Sequence, residues 1–225
     1  NRRARFILDH LPNREAIRRR VTELETAKSP AYHELIHRNG VLFALKTQPP
    51  KQQAMLVALS SVDELTGERL LLDPMTLDAE GNTTIDWYVP SLDGKKVAVS
   101  LSSGGTESGD VHVYEVSSGK EVGEVIPGVN SGTAGGSLAW NHDGTGFYFT
   151  RHPSEGERPA EERFFHQQVY FHALGTPIVQ DRYELGEDFP RIAESDLRVS
   201  DDGAWVLDLV QNGDDKQYAL YLKGP

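Results

Sequence analysis

The chain has 225 residues with a net charge of −11, 38% apolar and 25% charged residues, 21 glycines, 12 prolines and no cysteine. That length fits one large domain, or one domain with a piece of another, and the composition is globular rather than disordered or fibrous. The missing cysteines exclude disulfide frameworks, thiol nucleophiles and cysteine-based zinc sites, and no apolar run is long enough for a membrane-spanning helix. The chain opens on Asn1 without a basic, apolar, small-residue leader. A start upstream of Asn1, or a piece of a longer protein, is therefore expected. A cytoplasmic location is the first expectation, and a leader upstream would change it to periplasmic or secreted.

Charge is unevenly spread. Residues 1–29 carry eight Lys/Arg (Arg2, Arg3, Arg5, Arg14, Arg18, Arg19, Arg20 and Lys28) against four acids, and the remainder carries 15 bases against 30 acids. So acidic a body repels phosphate backbones, and no nucleic-acid partner is expected. The basic head reads as amphipathic helix. Phe6, Ile7, His10 and Leu11 share a face before Pro12 breaks the pattern. Asn13 is placed to cap a second helix, with Glu15 in its first turn. Ile17, Val21 and Leu24 recur at i, i+4 and i+7 and form a stripe that must pack on something.

From about residue 40 the period changes to two. Val41–Leu45, Met55–Leu59, Val97–Leu101, Val111–Val116, Phe147–Phe149, Val169–Leu174, Trp205–Val210 and Tyr218–Leu222 are short strand-like segments separated by turn residues. An Asp-Gly pair recurs at 93/94, 143/144 and 202/203, each between two such segments, and suits a tight hairpin turn with positive φ. A repeat of this length with about four strands is the signature of a β-propeller blade. The fold class expected is therefore mainly β: an antiparallel β-propeller of about four blades, at 41–75, 85–125, 136–178 and 195–222, behind a helical segment at 1–29. Four blades make either the smallest closed ring or an arc of a larger one.

Few motifs carry chemistry. His33-Glu34-Leu35-Ile36-His37 spells H-E-x-x-H, which on a helix would hold zinc. Pro30 and Gly40 leave little room for a helix, and the stretch reads as a linker into the first blade. Gly135-Gly136-Ser137 lacks the last glycine of a nucleophile elbow and precedes a strand. The glycine-rich stretches SSGGTESGD and NSGTAGG lack the lysine and helix of a phosphate loop. His142, His152, His166 and His172 gather in the third unit. The segment from Arg151 to His166 is a long charged hairpin connection, where function on such scaffolds concentrates. Arg151, His152, Glu157, Arg158 and His166 are the candidate residues there. No catalytic constellation, cofactor or metal site is expected.

Several runs resemble the prolyl oligopeptidase family of serine peptidases. They are RFILDHLPNREAIRRRVTEL, LLLDPMTLDAEGNTTIDWYVPSLDGKKVAVSLSSGG, GGSLAWNHDGTGFYFTRHP and FHQQVYFHALGTP, in order along nearly the whole chain. The resemblance implies a seven-bladed propeller that caps an α/β-hydrolase domain, with the N-terminal helices packed on that domain. It implies cleavage of short peptides after proline by a Ser-His-Asp triad, the propeller restricting entry. The remaining blades, the hydrolase domain and its triad lie outside this sequence, so no catalytic residue carries over. The family's pocket also receives an aromatic residue shortly before the Ala-Trp of the third unit, where this chain has Gly135-Gly136-Ser137. The expected role is thus a non-catalytic, gating portion of such a peptidase, acting on short proline-containing peptides. Its partner would be its own hydrolase domain, and the fragment would self-associate through open blade faces. The rival reading is a stand-alone small propeller that binds a peptide or protein.

Overall fold

A computed structural model describes residues 2–26, 29–106, 108–132 and 134–224. Ala27 and Lys28 of the helical lead-in, and Glu107 and Thr133 of the glycine-rich stretches, lie outside the described residues. Helices α1 (Arg2–Asp9) and α2 (Arg14–Glu25) form as the periodicity implies. Neither buries a residue, and their large apolar side chains are between 50% and 64% exposed. Asn13 does not cap α2: its φ is 67° and its side chain makes no capping bond. An N-cap needs an extended backbone, whereas asparagine tolerates the left-handed region, so Asn13 turns the chain after Pro12 instead. No described helix is long and apolar enough to cross a membrane.

Four antiparallel meanders follow. The first sheet holds β1 (Ala31–Arg38), β2 (Val41–Thr47), β3 (Met55–Leu59) and β4 (Arg69–Leu72). After a one-turn helix α3 (Pro74–Leu77), the second holds β5 (Thr83–Pro90), β6 (Lys96–Ser103), β7 (Gly109–Glu115), β8 (Lys120–Glu121) and β9 (Ile126–Asn130). The third holds β10 (Leu138–Trp140), β11 (Gly146–Arg151), β12 (Gln168–Ala173) and β13 (Arg182–Leu185). The fourth holds β14 (Ala193–Val199), β15 (Val206–Asn212) and β16 (Tyr218–Lys223).

The first sheet thus starts at Ala31, before the expected residue 41. The stretch read as a linker is β1, paired along β2 with a bulge between His33 and Ile36, where Glu34 takes φ 51°. Only Tyr32, Ile36 and Arg38 are even half-buried, so the strand carries almost no hydrophobic alternation to read. The same pairing removes the helical premise of H-E-x-x-H. His33 and His37 stand on an extended, bulged strand, and His33 Nε2 lies 3.2 Å from Thr47 Oγ1.

The sheets pack face to face in chain order. Phe43, Leu45 and Leu56 of the first meet Tyr88, Val97 and Val99 of the second. Val111, Val113 and Ile126 on the other side of the second meet Trp140, Phe147 and Phe149 of the third. Ala139 and Val169 of the third meet Phe189, Ala193, Leu197 and Val210 around the fourth. A middle strand covered on both faces needs apolar residues on both, so β6 is buried from Val97 to Ser102. Each large side chain sealed in this way contributes roughly 1.5–3 kcal/mol.

The Asp-Gly turns are longer than the two-residue hairpin that the pair suggests. Ser91 N–H donates to Lys96 O (2.9 Å), and Gly94 N–H to Ser91 O (2.9 Å). The Asp93 carboxylate accepts from Ser91 Oγ (2.7 Å) and Lys95 N–H (3.0 Å). Residues 200–205 repeat this arrangement through Ser200 and Asp202, and residues 141–146 do so through Asn141 and Asp143. Each turn also reaches the next. Asn39 Nδ2 donates to Asp93 O (3.0 Å), Lys96 Nζ to Gly144 O (3.1 Å) and His142 Nδ1 to Asp202 O (2.6 Å). One end of the arc is therefore stitched blade to blade.

Candidate functional site

Arg151 ends β11, so the chain leaves the third sheet on the side opposite the Asp-Gly turns. The connection from 152 to 167 then walls a cleft of about 930 Å³ together with β9 and residues 178–181. Three of the five candidate residues line it: Arg151, His152 and Glu157. Their arrangement is specific. Arg151 forks onto Glu157, with Nη1 donating to Oε2 (3.0 Å) and Nη2 to Oε1 (3.1 Å), and also donates to Ser154 Oγ. Its guanidinium lies 4.3 Å from the centre of the Tyr170 ring. The Arg151 bonds hold the Glu157 carboxyl below the usual carboxylate range, and Ser154 N–H (2.8 Å) adds to this. The loop's first turn is thereby clamped to the sheet.

His152 is 7% exposed, and burial pushes its pKa down, so the imidazole stays neutral at pH 7. Its Nδ1 finds no partner among the described residues. Asp181, also on the cleft wall, pairs with fully buried His172 (2.6 Å), and burial pushes its carboxyl up.

The other two candidates lie elsewhere. Arg158 is at the exposed tip of the loop. His166, at φ 59°, closes the loop's far end: its Nε2 meets Glu162 Oε2 (2.9 Å), and its N–H donates to Arg191 O (2.8 Å). Arg191 forks back onto Glu162 (2.9 and 3.0 Å) and covers the Phe165 ring at 3.5 Å. Fully buried Gln167 completes the anchor, donating to Gly135 O (3.2 Å) and accepting from Ser195 N–H (2.9 Å). Arg191, Gln167, Tyr170 and Asp181 escaped sequence reading because each gains its role from a partner in another element. The local i, i+4 spacing of Glu162 and His166 was the one legible hint. Ser137 is no nucleophile in this arrangement, since its Oγ accepts the Leu197 N–H at 2.8 Å.

The arrangement is a cleft of mixed polar and apolar lining under a loop pinned at both ends, on an arc of propeller blades. Sequence relationships agree with that class. The family model for the prolyl oligopeptidase N-terminal beta-propeller domain matches residues 1–224, and the chain belongs to that family. It is 25% identical over 185 residues to prolyl oligopeptidase A of Galerina marginata, covering 76% of this chain and 25% of that protein. It is 30% identical over 125 residues to a prolyl endopeptidase of Elizabethkingia meningoseptica, covering 54% of this chain and 17% of that one. A solved structure from a study of inter-domain dynamics in two prolyl endopeptidases superposes with a TM-score of 0.77 at 27% identity, over 100% of this chain and 32% of that one. Substrate-bound prolyl oligopeptidase B of Galerina marginata shares the fold, with a TM-score of 0.76 at 16% identity, over 99% of this chain and 33% of that one. The chain spans about a quarter of its first curated relative and a third of these structures.

Proposed function

We propose that the chain is the non-catalytic N-terminal and propeller portion of a prolyl oligopeptidase-like serine peptidase, and that it gates the access of short proline-containing peptides. The hydrolysis belongs to an α/β-hydrolase domain outside this sequence, on which α1 and α2 pack through their exposed apolar stripe. The observation that carries the gating role is the connection 152–167, clamped at Arg151–Glu157 and at Glu162–His166–Arg191 over a large cleft. A loop held at two hinges by partly exposed ion pairs is positioned and can still open, because the paired groups can be re-solvated as the hinges part. Arg151, His152, Glu157, Arg158 and His166 are the proposed gating residues.

The test is made in an enzyme that contains both portions. Arg151→Ala is expected to raise kcat/KM for long proline peptides several-fold relative to short ones, leaving short-peptide turnover near its starting value. An unchanged ratio of long to short would reject the gate. A cytoplasmic location belongs to the same proposal, and cell fractionation tests it. The stand-alone module would need a closed ring, and the exposure of Leu220 (65%) and Leu222 (63%) on the last sheet speaks against one.

A further inference from the structure

Glycine has no side chain to shield its backbone nitrogen, so in an Asn-Gly or Asp-Gly pair that nitrogen can attack the side-chain carbonyl before it. The chain has five such pairs: Asn39-Gly40, Asp93-Gly94, Asp143-Gly144, Asp202-Gly203 and Asn212-Gly213. A nitrogen whose N–H is held in a hydrogen bond does not attack until that bond opens. In four of the five it is held. Gly94 N–H donates to Ser91 O (2.9 Å), Gly144 N–H to Asn141 O (3.2 Å), Gly203 N–H to Ser200 O (2.8 Å) and Gly213 N–H to Ile192 O (2.9 Å). Three of those four also present a carboxylate, a far poorer electrophile than a carboxamide.

Asn39-Gly40 differs. The pair forms the exposed turn between β1 and β2, with φ values of 45° and 79°, and Gly40 N–H has no acceptor among the described residues. No atom lies within 4 Å of where a Cβ on Gly40 would stand, whereas one on Gly213 would meet Ile192 Cδ1 at 2.7 Å. Exposure does not separate the two asparagines, since Asn212 is exposed as well. Nor do their carboxamides, each of which makes one hydrogen bond of 3.0 Å. The glycine nitrogen does. The two bonds differ only in what they join: Asn39 Nδ2 reaches Asp93 O on the next sheet, and Asn212 Nδ2 reaches Asp215 Oδ2 in its own turn.

We propose that Asn39 is a modification site: in the folded chain it deamidates through a succinimide, while Asn212 and the three aspartates are held back. Gly40 N gives up its proton and attacks Asn39 Cγ. The N–Cγ bond forms, the Cγ–Nδ2 bond breaks, and the displaced proton ends on the departing nitrogen, which leaves as ammonia. One water then opens the ring, at Cγ to leave aspartate or at the main-chain carbonyl to leave isoaspartate, whose backbone runs through Cβ. Water is the only co-reactant. Either product has a carboxylate in place of the carboxamide, with no N–H to give to Asp93 O. The stitch between the first and second sheets is thereby lost. The proposal does not depend on the gating role of the 152–167 connection.

The experiment incubates the 225-residue chain in mildly alkaline buffer, folded and in urea. Mass spectrometry follows each of the five peptides, and a methyltransferase specific for isoaspartate marks the rearranged product. In the folded chain the Asn39 peptide is expected to convert about tenfold or more faster than the Asn212 peptide, because Gly213 must first open locally. Isoaspartate should not build up at Asp93, Asp143 or Asp202. In urea the two asparagines should react at similar rates. Equal rates at Asn39 and Asn212 in the folded chain, or an Asn39 that stays intact there, would overturn the site. Asn39→Asp, which carries the charge of the product without its longer backbone, tests the consequence. It should speed hydrogen exchange at Gly94 N–H and leave that at Gly203 N–H as it was, and unchanged exchange at Gly94 would overturn the loss of the stitch.

Discussion

Asp208 stands alone in this molecule. It lies on β15 at 2% exposure, opposite Leu197 and Tyr221, and neither carboxylate oxygen has a hydrogen-bond partner among the described residues. Burial, and secondarily the Asp196 charge, push its pKa up to about 7, against some relief from Ser195. A folded pKa above the unfolded one means that the native state binds the proton more tightly. The resulting stability is fully present below about pH 4 and is lost as pH rises through about 7. Asp208→Asn should therefore change stability little near pH 3 and stabilise the protein at pH 8, by up to about 4 kcal/mol for a shift of roughly three units. Urea unfolding at the two pH values checks this, and equal effects at both would refute it. No feature of the local sequence marked Asp208, because a carboxylate inside an alternating strand reads as solvent-facing until the neighbouring sheet covers it.

At the scale of the element, the turn ladder shows how a dipeptide signal becomes a tertiary one. The Asp-Gly pairs were legible, and all three glycines take positive φ. Their full role was not, because the residues that each turn touches come from another blade. A Cβ on Gly94 would stand 2.8 Å from Arg38 O, whereas one on Gly104, at nearly the same φ, would meet nothing within 4 Å. Gly104→Ala is expected to cost about 1 kcal/mol from the left-handed backbone alone. Gly94→Ala should cost about 1–3 kcal/mol more, from the clash with backbone that cannot swing aside. Denaturant midpoints of the two variants would show the gap, and equal losses would mean that the turns do not stitch the blades. The one-turn helix α3, strand β1 and the outer strands β8, β9 and β13 were among the elements that sequence reading missed. Each is short or lies at a sheet margin, where one-sided burial leaves little hydrophobic period.

Across the whole molecule, the last sheet leaves an apolar face uncovered. Tyr218, Leu220 and Leu222 of β16 point away from the third sheet and are 54–65% exposed, and the apolar stripe of α1 and α2 is exposed as well. Unpaired strand edges and apolar faces favour association. We therefore expect the isolated chain to self-associate with rising concentration. The double variant Leu220→Lys with Leu222→Lys should shift the sedimentation profile toward monomer while changing stability by only a few tenths of a kcal/mol per site. A monomer at every concentration in the parent chain would refute this.

Sequence alone determined the fold class, the run of blades and the family, because period-two alternation, Asp-Gly turns and family-like runs are local signals that survive without coordinates. It also marked the connection from Arg151 to His166 as the segment to watch. Only tertiary structure decided what that segment does with its charges, pinning Arg151 on Glu157 and His166 on Glu162 and Arg191. Only tertiary structure told Asn39-Gly40 from Asn212-Gly213, the same dipeptide twice. Pairing of β14 with β15 brings Ile192 O to Gly213 N–H, and among the described residues nothing comes to Gly40 N–H. Strand register fixes such contacts, and no reading of the dipeptide itself contains them.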